Sequence, residues 1–100
     1  MSDAPDNMIS DLRHRLRISG THFDGEISDL VAAAQADLML GGILSVRAMD
    51  EGDPLVRRAI TCYVKAEFGL DNPDADKFRA AYKLIREHLM LSQEYTSTEV

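Results

Sequence analysis

The chain has a single cysteine, Cys62, and no tryptophan among its 100 residues. One thiol cannot build an internal disulfide framework or a cysteine-rich zinc site. That composition suits a reducing compartment. Basic residues are in deficit: Lys and Arg number 11 against 17 Asp and Glu, for a formal charge of −6. A protein whose main task is gripping nucleic acid normally carries a basic face, so the balance argues against that role. Long apolar runs are missing too. Spanning a bilayer takes roughly 20 mostly apolar residues, and the apolar stretches here are broken by charge. The opening residues 1–7 are acidic and polar, without the basic start and apolar run of a signal peptide. They read as a flexible arm, and the chain as made in the cytoplasm of its host.

What is present is a core's worth of apolar residues, 45% of the chain. At 11.1 kDa this is one domain. The periodicity predicts four helices and no strand. The first spans Met8 to Arg17, with Met8, Ile9, Leu12 and Leu16 on one face and Asn7 or Ser10 as its cap. Arg13, Arg15 and Arg17 fall late in it, where cations favour the helix dipole. The second runs from Asp24, as N-cap, to Leu40. Ile27, Leu30, Val31, Ala34 and Leu38 form its buried stripe, and Gly41-Gly42 stops it.

Residues 43–52 form a connector of poor periodicity whose conformation the pattern leaves open. The third helix opens on Asp53-Pro54, an N-cap followed by proline at the first helical position. It is apolar on most sides and therefore central. Arg57, Arg58, Lys65 and Glu67 mark its outward surface, and Gly69 is its stop. The fourth opens on Asn72-Pro73 and carries Phe78, Tyr82, Ile85 and Leu89 on one stripe. Its end falls near Leu91-Ser92. The tail, residues 93–100, shows no helix period and reads as extended or disordered by itself. The expected fold is all-α: a small four-helix bundle-like domain over residues 8–92 with flexible termini.

The residues supply little chemistry. His14, His22 and His88 are far apart, and none has a carboxylate or cysteine at metal-ligand spacing. Cys62 sits in the most apolar helix and reads as a small core residue rather than a nucleophile. Gly41-Gly42 has no following Lys-Ser/Thr and is a helix stop, not a phosphate loop. Asp50, Glu51 and Asp53 lack calcium-loop spacing and read as capping groups. No catalytic residue, metal site or cofactor is expected, and the protein reads as a non-enzyme. Arg79, Lys83 and Arg86 form the one basic stripe, either a solvated face or a surface for an acidic partner.

From Asp53 the chain reads Asp-Pro-Leu-Val-Arg-Arg-Ala-Ile-Thr-Cys-Tyr-Val-Lys-Ala-Glu-Phe-Gly-Leu-Asp-Asn-Pro-Asp-Ala-Asp-Lys-Phe. This stretch, with Tyr82 and Leu89 through Tyr95, resembles the head–tail connector family of tailed bacteriophages and prophages, also called adaptor or phage DNA-packaging proteins. Met8 to Ile18 is similar to that family's short opening helix, and Ile27 to Gly42 to its second. The resemblance covers roughly residues 8–95 and is most specific over Asp53–Phe78. Residues 43–52 depart from it, with Arg47 and Met49.

The resemblance implies a structural virion protein of the neck. It would form a ring with the portal's twelve-fold symmetry and join the portal to the next neck or tail protein. Double-stranded DNA would pass through its channel without sequence-specific binding. No cofactor, reaction or membrane is implied. Within that role Arg79, Lys83 and Arg86 are the candidate subunit interface. Gln93, Glu94, Tyr95, Thr96, Ser97 and Thr98 are the candidate portal interface, with Tyr95 as anchor because aromatic residues dominate interface energy. The alternative is a small helical interaction or regulatory module unrelated to the virion.

Overall fold

Six helices and no strand are present in the computed structural model, which describes residues 8–69 and 72–97. They are α1 (Met8–Arg15), α2 (Asp24–Leu40), α3 (Ser45–Ala48), α4 (Pro54–Glu67), α5 (Ala75–Met90) and α6 (Gln93–Thr96). The expected arm, residues 1–7, lies outside the described residues.

The apolar α4 is central, packing against both α5 and α2; α1 and α3 pack on α2, and α6 on α5. Val56, Ala59, Ile60 and Val64 of α4 are fully buried, together with Ile27, Ala34 and Leu38 of α2 and Leu12 of α1. Tyr82 and Leu89 of α5 close the core, with Ile85 packed against it. The domain is flat, with principal extents of 43 × 37 × 17 Å.

Asp53 caps α4 as its sequence position requires. Its Oδ1 accepts from the backbone N–H of Leu55 at 2.9 Å and of Val56 at 3.1 Å. These are donors that the first helical turn leaves without an intrahelical partner. Pro54, with no N–H to satisfy, follows at the first helical position. Within the acidic cluster, Asp53 caps the helix, while Asp50 Oδ1 accepts from Gly52 N at 3.0 Å in the turn before it.

Two helix ends share one geometry. At the end of α2, Gly42 N donates to Met39 O at 3.0 Å and Ile43 N to Leu38 O at 3.1 Å. This is a Schellman closure, and it places Gly42 at φ +103°, a conformation open to glycine at little cost. Gly41 differs: its φ is helical, and it is approached by side-chain ends of α5. A Cβ there would stand 2.8 Å from Arg86 Nη2 and 3.1 Å from Met90 Sδ. At the end of α1 the same closure forms from Arg17 N to His14 O at 3.1 Å and Ile18 N to Arg13 O at 2.9 Å. Here the left-handed position, φ 61°, is filled by Arg17.

Several sequence expectations are corrected. The first helix ends at Arg15, because the closure turns the chain at Arg17. Met8 already opens it, so Ser10 lies inside its first turn, and Asn7 is outside the described residues. Asp24 does not cap α2: Phe23 holds the N-cap position with no side-chain bond. The Asp24 carboxylate instead takes Arg13 Nε of α1 at 2.8 Å. α5 begins at Ala75, later than Asn72-Pro73. Asn72 caps the turn before it, accepting from Asp74 N at 2.9 Å and donating to Lys65 O at 2.6 Å.

The connector, left open by its pattern, contains α3, with Ile43 and Ala48 buried. The tail departs most from expectation. Residues 93–96 form α6 and Tyr95 is 7% exposed. A four-residue helix has no period to read, and this one is held by bonds to distant residues.

Candidate interaction surfaces

Three polar constellations tie the helices together, and they engage Arg86, Glu94 and Tyr95 of the residues that the sequence marks for contact. The first joins α5 to α2. Tyr82 Oη donates to Asp37 Oδ2 at 2.5 Å, and Arg86 Nε lies 3.0 Å from the same oxygen. Arg86 Nη2 also donates to the Asp37 carbonyl at 3.3 Å. Burial, then the bond to Asp37, pushes the Tyr82 phenol well above its ordinary range. The amide of Gln35, two residues earlier on α2, is buried, and its Nε2 has no hydrogen-bond partner among the described residues.

The second constellation holds α6. Tyr95 Oη donates to Asp53 Oδ2 at 2.9 Å, so one carboxylate both caps α4 and fixes the tail. Leu44 N donates to Tyr95 O at 2.9 Å, and Arg47 Nε to Glu94 O at 3.2 Å. The Arg47 guanidinium stands 5.4 Å from the centre of the Tyr95 ring, within cation–π range. Burial, with the Asp53 hydrogen bond second, pushes the Tyr95 phenol up to about 12. Arg47 thus has a structural role, holding α6 from the connector.

The third lies between α1 and α4. Asp11 Oδ2 receives Arg15 Nε at 3.0 Å and Arg57 Nη2 at 3.2 Å. Burial alone would push the Asp11 carboxyl up, but the bonds and charges of the two arginines outweigh it and hold the carboxyl below its ordinary value.

The basic stripe on α5 is therefore not a uniformly free face. Arg79 pairs with Glu67 at 2.9 Å and Asp76 at 3.0 Å. Arg86 is committed to Asp37. Among the described residues only Lys83 of the three makes no ion pair. Of the residues marked for portal contact, Gln93 and Glu94 are exposed, Thr96 and Ser97 are half-buried, and Tyr95 is inside. Thr98 lies outside the described residues.

His14, His22 and His88 are exposed. No group of three His, Cys, Asp or Glu gathers among the described residues in a way that could hold a metal ion. Cys62 is free and buried. Burial pushes its thiol up, against the opposing charges of Arg58 and Lys65. No helix is long and apolar enough to cross a membrane, among the described residues.

Large apolar side chains remain at the surface where α2 and α5 end: Leu40 and Leu91 are each 84% exposed. The described residues thus form a small, flat, all-helical domain braced by internal ion pairs. Residues 8–96 match the family described as "Phage connector protein", and the chain belongs to that family. No curated protein and no solved structure matches it. Family membership makes it a structural component of the phage head–tail connection, in contact with other virion proteins.

Proposed function

We propose that this chain is a ring-forming adaptor. Copies assemble head to tail beneath the portal, at its twelve-fold symmetry, and the ring carries the DNA channel on to the next neck or tail protein. The observation that carries this reading is the family match over residues 8–96. Two physical features support it. A closed ring needs two different side surfaces on each subunit, which a flat domain 17 Å thick readily presents. A net charge of −6 suits a channel through which DNA slides, since phosphate contacts would hold it back.

In this reading the α5 stripe meets a neighbour through Lys83 and the half-exposed flank of Arg79, while Arg86 stays with its own Asp37. The segment after Ser92 meets the portal through Gln93 and Glu94, flanked by Thr96, Ser97 and Thr98. Tyr95 sets the position of that segment from inside the domain.

The test is electron microscopy of the chain mixed with the portal protein of the same genome. A ring of density coaxial with the portal is expected. Portal particles without added density, at saturating chain, would overturn the adaptor reading.

A further inference from the structure

The outward side of α4 carries a groove that the connections described so far do not use. It has a volume of about 430 Å³, and its lining includes Arg15 of α1, Arg57, Arg58, Thr61 and Lys65 of α4, and Phe78 of α5. Every charged residue in that lining is a cation. Four of the chain's 11 basic residues thus face one groove, with none of its 17 acidic ones. Without these four, the net charge of −6 would become −10, so the groove is a basic spot on a strongly acidic molecule.

The four cations are not equally engaged. Arg15 and Arg57 share Asp11, and Arg57 also donates to the Glu51 carbonyl at 3.0 Å. Arg58 is exposed and makes no ion pair among the described residues. The Lys65 ammonium stands 4.8 Å from the centre of the Phe78 ring, a contact that leaves its charge unneutralised. Two positive charges therefore face the groove without a carboxylate.

We propose that this groove is a docking site for carboxylate side chains on the α2 face of a second copy of the chain. α2 contributes nothing to the groove's lining. On its exposed side it carries Glu26 and Asp29, neighbours at helical spacing with no ion pair among the described residues. The two surfaces are thus different and opposite in charge, the requirement for a head-to-tail contact that repeats around a ring. Duplex DNA is a poorer occupant, because DNA affinity grows with the number of phosphates neutralised and only two cations here are free of a carboxylate. This inference rests on the ring reading and supplies one of its subunit contacts.

The experiment is sedimentation velocity of the full chain at about 50 mM and about 500 mM salt, since contacts between exposed charges weaken as salt screens them. The variants are Arg58→Glu, Arg58→Glu/Lys65→Glu, Glu26→Lys/Asp29→Lys, and all four changes in one chain. Circular dichroism establishes that each is folded. Arg58→Glu alone keeps the test intact should the Lys65 change disturb α4. Each one-sided reversal is expected to weaken self-association at least about tenfold at low salt. The four-change chain, complementary again with its signs exchanged, is expected to recover most of it.

A wild-type ring together with an equally strong ring from Arg58→Glu/Lys65→Glu would overturn the groove contact and leave the adaptor reading standing. Unchanged assembly combined with lost binding of duplex DNA or inorganic phosphate would also overturn it, in favour of a phosphate site. A wild type that stays monomeric, alone and with portal, would overturn both.

Discussion

The Asp53–Tyr95 pair makes α6 part of the fold, and a double-mutant cycle measures that directly. Asp53→Ala removes the cap of α4, worth about 1 kcal/mol. It also leaves the Tyr95 hydroxyl without its partner at a site 7% exposed, a desolvation cost of about 1–3 kcal/mol. The expected loss is therefore about 2–4 kcal/mol. Tyr95→Phe in the wild-type background loses one hydrogen bond, about 1 kcal/mol, because the half-buried Asp53 carboxylate can turn to water. In the Asp53→Ala background the same change removes an orphaned hydroxyl, so it should be neutral or stabilising. Urea denaturation of the four proteins reads the coupling, expected at about 1–2 kcal/mol. Each kcal/mol corresponds to about 4–8 °C in Tm for a domain of this size. If Tyr95→Phe costs the same in both backgrounds, the two groups are uncoupled and the seating of α6 is wrongly described.

Arg17 holds a left-handed conformation at φ 61° that costs a non-glycine residue about 1 kcal/mol, so Arg17→Gly should raise stability by about that much on thermal denaturation. Gly42→Ala should do the reverse, losing about 1–2 kcal/mol at φ +103°. Tyr95 has its phenol raised to about 12, and Tyr82 is raised in the same direction. A raised phenol contributes stability that is fully present below the unfolded value near 10 and is lost as pH climbs through the folded one. Urea midpoints should accordingly be flat from neutral pH to about 10 and fall above it. Tyr95→Phe should flatten part of that fall.

The parts of the fold that were legible are those fixed by local chemistry. Asp53-Pro54 announces the start of α4 because cap and proline act within one turn. Gly41-Gly42 announces the end of α2, although the sequence does not show that only Gly42 holds a positive φ while Gly41 is approached by the Arg86 and Met90 side-chain ends. The stripes of α2 and α5 follow from helical spacing. The end of α1 was not legible, because an arginine occupies the position where a glycine would have signalled it. Asp24 looks like a cap by sequence, but the Arg13 guanidinium competes for its carboxylate. α3 and α6 are too short to show a period, and α6 forms because Asp53, Leu44 and Arg47 hold it from far along the chain.

Among the contact residues, spacing revealed that Arg79, Lys83 and Arg86 share a face. It did not reveal that Arg79 and Arg86 are held by their own chain's acids, since Glu67 and Asp37 lie on other helices. The groove on α4 was legible only in part. Arg57, Arg58 and Lys65 marked an outward surface, while Arg15 and Phe78 join them only once α1 and α5 are folded against α4.

The central claim, that this chain assembles as a connector ring, is tested most directly by solution mass from light scattering. It should be measured over a wide concentration range, alone and then with the portal from the same genome. A mass of about twelve copies of the 11.1 kDa chain is expected, formed either spontaneously or on the portal. A monomer or dimer that ignores the portal at every concentration would contradict it.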